Sequence, residues 1–300
     1  MITKNKVLII KLGHSETLDP IISKECSLGD VVRTTVILNY FRRPDSVTWL
    51  VDEKAAAILE DNPGIDRVLL WNWENAIQLQ RENFDIIINL EKGPSICALS
   101  DSIYAYRRCG FRFSEWKASA EAHYNTEKVL EIALNPDKRD TNTKYWQQHL
   151  AKVIDRNWSS KDKYVMKRPL MEPGIDVGLN WIVGKKWPEK AWPFPKWKEL
   201  QEKLIKSGMS VSIQPQLSLE IYLHWISSCN NVITCDSLGM HLGIAYNIPT
   251  IALFGPTPHK EVFMYDNGEK IVSKTGKMDA ITVDEVFEVF MRRLSGSKKT

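Results

Sequence analysis

Four short stretches of this 300-residue chain carry side chains that could do chemistry, each where an apolar run gives way to a new element. In Ser27-Leu28-Gly29-Asp30, the carboxylate of Asp30 could take a proton as a general base, and Gly29 would let the backbone approach a ligand. The same spacing is close to a capping box, and an acidic group in a first helical turn favours the helix dipole. Both readings stand on these residues alone. Cys235-Asp236-Ser237-Leu238-Gly239-Met240-His241 runs from a strand into a helix. Unpaired N–H groups at such a helix start can hold a phosphate, with Asp236 accepting hydrogen bonds from sugar hydroxyls. An Asp N-cap and a packed histidine would account for the pattern equally well. The stretch Gly184–Trp197, GKKWPEKAWPFPKW, interleaves Lys185, Lys186 and Lys190 with tryptophans. Its prolines suggest a rigid loop presenting lysine to a phosphate, and a surface loop with packed tryptophans is the plain alternative. Phe254-Gly255-Pro256-Thr257 reads as a turn after the last strand of the C-terminal sheet.

Other chemistries lack their residues. The sequence holds no GxxxxGK[ST], no GxGxxG after its first strand, no HExxH and no GxSxG. No metal-binding spacing of His or Cys is present either. A 43% hydrophobic and 26% charged composition fits a soluble globular enzyme rather than a disordered chain. No run approaches the roughly 18 apolar residues of a membrane span. The opening MITKNKVLII has neither the apolar length nor the cleavage site of a leader. Cys26, Cys97, Cys109, Cys229 and Cys235 show no CxxC spacing, so a reducing, cytoplasmic setting is expected. A net charge of +3 is too mild to imply nucleic acid.

The elements that must position these residues alternate. Short apolar runs at Val7–Lys11, Val47–Asp52, Arg67–Trp71 and Asp85–Leu90 read as strands. Helical patterns at Asp30–Phe41, Glu53–Glu60 and Glu74–Arg81 separate them. Residues 113–170 lose the strand rhythm, with helical patterns at Thr126–Ile132 and Thr143–Ile154, and Ser159–Gly174 reads as a linker. Strands then resume at Ile175–Asn180, Val211–Gln214, Asn231–Cys235 and Thr250–Phe254, between helices at Trp197–Lys206, Ser218–Cys229 and Gly239–Tyr246. A last helix opens with the capping-box spacing Thr282-x-x-Glu285. Such alternation predicts two doubly wound α/β domains, over 1–165 and 172–300, with a cleft at the carboxyl ends of their strands.

In this order, the four motifs resemble glycosyltransferase family 9, the heptosyltransferases of lipopolysaccharide core assembly. VLIIKL…SLGDVVRTT is similar to the family's opening strand and S-x-x-G-D turn, and VTWLVDEKAAAILEDNPGIDRVL to the segment that follows. KKWPEKAWPFPKWKEL resembles its lysine-tryptophan-proline segment, and CDSLGMHLGIAYNIPTIALFGPT its donor-binding segment. The resemblance implies a GT-B architecture, two Rossmann-like domains facing a central cleft, acceptor-binding first and donor-binding second. It implies an inverting transfer that needs no metal or other cofactor. Asp30 would deprotonate the acceptor hydroxyl, with Lys11, Ser27 and Gly29 beside it. Lys190 would contact the donor diphosphate, while Asp236, Ser237, Gly239, Met240, His241 and Thr257 would line the sugar-nucleotide site. The implied partners are a nucleotide-diphosphate-sugar, ADP-heptose being one such donor, and a glycolipid or polysaccharide acceptor reached by peripheral contact with the inner membrane.

Three departures stand out. Gly13–Cys26 intervenes where the family runs almost directly from strand to S-x-x-G-D, and this loop is expected to shape acceptor choice. GMSVSIQPQLSLEIYL passes directly into the next helix, so a strand, glycine-rich loop and ribose-binding acid are deleted. Leu238 stands where the family pattern has glycine, and Gly239 follows it. These departures motivate an alternative, a catalytically silent sugar-nucleotide-binding or scaffold protein of a surface-polysaccharide pathway. A basic stretch of Arg107, Arg108, Arg112 and Lys117 is either a face for anionic groups or a solvated surface.

Overall fold

The apolar run KVLII forms β1 (Lys6–Ile10), which is buried along nearly its whole length, as befits an interior strand of a parallel sheet. In the computed structural model, which describes residues 4–14, 25–135, 137–138 and 141–297, β1 lies between β2 (Ser46–Val51) and β4 (Asn83–Asn89). The sheet continues to β3 (Arg67–Leu70) on one side and to β5 (Tyr104–Ser114) and β6 (Ser119–Ala122) on the other, in the order β3-β2-β1-β4-β5-β6. All its pairings are parallel except β5 with β6. The chain steps outward from β1 to β3, then returns to start β4 on β1's other side. That reversal opens a crevice at the carboxyl ends of β1 and β4.

The second sheet is wholly parallel in the order β11-β10-β9-β7-β8. Its strands are β7 (Val177–Asn180), β8 (Val211–Ile213), β9 (Val232–Cys235), β10 (Thr250–Phe254) and β11 (Gly268–Val272). Here the order reverses between β7 and β9. Among the described residues, the three-residue β8 is the edge strand of this sheet. The chain divides into two units: one runs up to Lys167 and includes Lys260–Phe263, and the other comprises Arg168–His259 and the chain from Met264 on. The division falls within Ser159–Gly174, which contains no helix or extended strand.

Several expectations need correction. The helix expected over Asp30–Phe41 is α1 (Leu28–Thr34) followed by a 3-10 stretch, Thr35–Tyr40. Thr34 and Thr35 donate their hydroxyls back to the carbonyls of Asp30 and Val32, each at 2.7 Å, which competes with the helical ladder. Within Glu53–Glu60 only one helical turn, α2 (Ala56–Leu59), follows a 3-10 turn. α3 (Trp73–Leu79) matches the expected element. β5 and β6 form a hairpin where the strand rhythm was expected to stop, and β11 follows the turn that was read as ending the last strand. The charged residues of β5 hid it. Arg108 donates to the carbonyls of Ser100 and Ile103 at the end of α4 (Pro94–Ser102), and Arg107 donates to that of Ile154. Arg112 and Lys117 both pair with Glu121 and stay largely exposed, as a solvated surface would be.

Candidate active site

In the first unit the crevice at β1 and β4 holds a buried ionic cluster. Lys11, the residue after β1, places Nζ 2.5 Å from Asp30 Oδ2 and 3.5 Å from Glu91 Oε1. Arg33, one turn on from Asp30, pairs with its other oxygen. Glu91 follows β4 and accepts the backbone N–H groups of Leu12 and Gly13, each at 2.8 Å, so it sets the path of the chain leaving β1. That path turns at Gly13, whose φ of +97° suits glycine. Its carbonyl then accepts the N–H of Ser27 at 2.7 Å, so the long connection leaves and returns at one point. Most of the connection, residues 15–24, lies outside the described residues. The expected capping box does not form, because Ser27 makes no side-chain cap and Asp30 is turned to Lys11 and Arg33.

Burial alone would push the Asp30 carboxyl up, but Arg33 and Lys11, with Lys92 behind them, outweigh it and hold the group far below the usual carboxylate range. Burial alone would push Lys11 down, yet Asp30 and Glu91 keep it above its ordinary value. Lys92 is different. Burial lowers it to about 8, and the nearby Lys11 charge pushes the same way. Asp30, Lys11, Arg33 and Lys92 line an open pocket with Phe111, Trp146 and His149, the last two from α6 (Trp146–Val153), which follows α5 (Glu127–Leu134).

In the second unit, Lys190 and Asp236 come together, with Nζ 3.0 Å from Oδ2 and both side chains mostly buried. Asp236 is held below its ordinary value: burial opposes this, but Lys190, His241 and the neighbouring Thr257 outweigh it. Two tryptophans that follow Lys190 are structural. Trp192 and Trp197 meet edge to face at 4.9 Å in the core, and α7 (Phe194–Lys206) starts between them. Ser237, not Asp236, takes the N-cap position of α9 (Leu238–Ala245), and it makes no side-chain cap. Its hydroxyl is instead held at 3.0 Å by Asn180 Nδ2, which also donates to Thr234 Oγ1 at 2.9 Å. Tyr222, on α8 (Leu219–Ser227), donates to Asn180 Oδ1 at 2.6 Å.

Two of the residues expected to line the donor site are tightly packed. Gly239 faces Asn180, so closely that a Cβ there would stand 2.5 Å from Asn180 Cγ. Its role in the fold is therefore to pack against Asn180. Met240 is fully buried. Asn180, Tyr222, Glu91, Lys92 and Arg33 were not among the residues singled out from the sequence. The rule that ligands bind where strand order reverses would have pointed to the ends of β1, β4, β7 and β9 once the orders were known. Among the described residues, no group of three or more His, Cys, Asp or Glu is placed to hold a metal ion.

Comparison with known proteins follows the same lines. Residues 209–286 match the model of glycosyltransferase family 9 (heptosyltransferase). Lipopolysaccharide heptosyltransferase 1 of Campylobacter coli is 22% identical over 302 residues, covering 84% of this chain and 87% of that protein. The structure of E. coli heptosyltransferase WaaC with ADP superposes with a TM-score of 0.68 at 17% identity, over 96% of this chain and 99% of that one. E. coli ADP-heptose lps heptosyltransferase II gives a TM-score of 0.67 at 12% identity, over 98% and 99%. These structures share their GT-B fold with this chain, and residues 209–286 together with the whole-length relative carry its similarity to glycosyltransferase family 9.

Proposed function

We propose that this enzyme transfers heptose from ADP-heptose to a lipopolysaccharide core acceptor, with inversion and without a metal ion. The observation that carries the reading is the Lys190–Asp236 pair beside the uncapped start of α9, at the strand-order reversal of the second sheet. Lys190 and the N–H groups of α9 supply positive charge for a leaving diphosphate, and Asp236 offers a carboxylate to sugar hydroxyls. His241 and Thr257 support Asp236, and Ser237 presents the turn. Asp30 serves the acceptor, with Lys11 holding it and Ser27 and Gly29 shaping the turn that carries it. Clamped by two cations Asp30 is a weak base, so proton transfer requires one of them to move off as the acceptor hydroxyl binds. The named activity of the Campylobacter relative and the ADP in the E. coli structure support the choice of donor and acceptor. A site on the cytoplasmic side of the inner membrane, in peripheral contact with a lipid-linked acceptor, completes the reading.

A second reading is favoured by one observation. Among the described residues the second sheet ends at the three-residue β8, beside the stretch GMSVSIQPQLSLEIYL that resembles the family without its ribose-binding unit. A silent sugar-nucleotide-binding protein would show this too. Calorimetric titration with ADP, UDP, GDP and CMP separates them when run beside a transfer assay. ADP binding with transfer supports the enzyme, and ADP binding without transfer supports the silent form. No nucleotide binding contradicts both.

A further inference from the structure

Lys260–Phe263 lies in sequence between elements of the second unit, yet packs as part of the first. Its carboxylate, Glu261, is 3% exposed. Glu261 Oε2 accepts the indole N–H of Trp146 at 3.0 Å, and Oε1 accepts from Asn142 Nδ2 at 3.3 Å. Asn142 Oδ1 in turn takes a hydrogen bond from His149 Nε2 at 3.1 Å, and burial keeps that imidazole neutral by lowering it to about 4. Two donors therefore converge on one buried carboxylate, which fixes the ring of Trp146. Phe263 adds a second anchor, 5.0 Å from the ring of Tyr145 and 5.1 Å from that of Trp158.

Trp146 also carries Arg33, whose guanidinium carbon stands 4.7 Å from the ring centroid. Arg33 is one of the two cations on Asp30. We infer that Glu261 is a positioning residue, which through Trp146 sets where Arg33 stands and so how firmly Asp30 is clamped. The inference rests on the reading of Asp30 as the acceptor-side base. A guanidinium on a fixed indole face has a defined place from which to hold the carboxylate and to which to return. A loose indole would let Arg33 drift, leaving Asp30 in a less defined orientation toward the acceptor hydroxyl.

The test is a double-mutant cycle with two readouts. Glu261→Gln keeps the shape but can accept only one of the two converging hydrogen bonds, and Trp146→Phe keeps a ring under Arg33 without the N–H. Each alone should lower kcat for transfer from ADP-heptose to heptose-free lipopolysaccharide by about tenfold, with Kd for ADP unchanged, and together they should cost little more than either. Losses that multiply, or an altered Kd for ADP with kcat intact, would overturn the inference. The second readout does not depend on activity. In protein carrying 5-fluorotryptophan, the 19F resonance lost in Trp146→Phe should shift in both Glu261→Gln and Asp30→Asn. A shift in Glu261→Gln alone would show that the anchor does not reach Asp30. If the wild type transfers nothing, the functional reading falls, while the 19F result still decides the positioning.

Discussion

Lys11 Nζ and Asp30 Oδ2 stand 2.5 Å apart, with both side chains almost wholly removed from water. Such a pair contributes little net stability against an apolar replacement, but breaking it from one side is expensive. Asp30→Asn leaves Lys11 and Arg33 without their shared anion, so a stability loss of roughly 3 kcal/mol is expected by denaturant unfolding at neutral pH. The sign with pH follows from the shifts. Asp30 is lowered, so its contribution is present above its unfolded value near 3.8 and is lost as pH falls through the folded value. Lys11 is raised, so its contribution is present below 10.5 and is lost as pH rises through the folded value.

Lys92 behaves in the opposite way. Its folded value of about 8 lies below the ordinary 10.5, so the unfolded chain holds more protons between those limits, and on this account stability rises with pH from 8 to 10.5. Lys92→Met should remove that rise and raise stability at pH 7 by roughly 1–3 kcal/mol. Urea unfolding at pH 7, 8 and 10 measures both. The transfer rate of the wild type should change near pH 8, with Lys11, Asp30, Arg33 and Glu91 as the charges Lys92 meets, and the change should vanish in the Met variant.

Gly239 and Asn180 make a packing prediction. A Cβ on Gly239 collides with Asn180, so Gly239→Ala should destabilise by about 1–3 kcal/mol and weaken ADP binding. Adding Asn180→Ser makes room and should restore part of the lost stability. Equal stability of Gly239→Ala and wild type in thermal unfolding would show that the contact is relieved at no cost.

Tyr222→Phe removes the donor to Asn180 Oδ1 and leaves that buried oxygen without it. The expected cost is about 1–3 kcal/mol, with weaker ADP binding because Ser237 is no longer fixed from behind. Calorimetry with ADP checks the second part, and an unchanged Kd would confine the network to stability.

Much of this was legible in the sequence where the signal was local. The runs KVLII, SVTWLV and VITC are strands because they are apolar on both faces, and Thr282 accepts the N–H of Glu285 at 3.1 Å, as the capping spacing foretold. Lys190 and Asp236, far apart in the chain, were both singled out, and they do meet. What escaped notice depends on the third dimension. β5 and β11 are half-exposed edge or near-edge strands whose Arg, Glu and Lys residues break the apolar pattern, and their place is fixed by pairing and by carbonyls of distant elements. Glu91 and Asn180 look unremarkable until strand order puts them at the crevices. Glu261 is read only when a segment of the second half is seen packed with the first.

The most direct test of the account is single-turnover transfer from ADP-heptose to heptose-free lipopolysaccharide, followed by mass spectrometry, with wild type and Asp30→Asn side by side. The account predicts an acceptor heavier by one heptosyl residue, formed roughly 10²–10⁴-fold more slowly by the folded variant, which still binds ADP. No product from the wild type, or equal rates from both proteins, would contradict it.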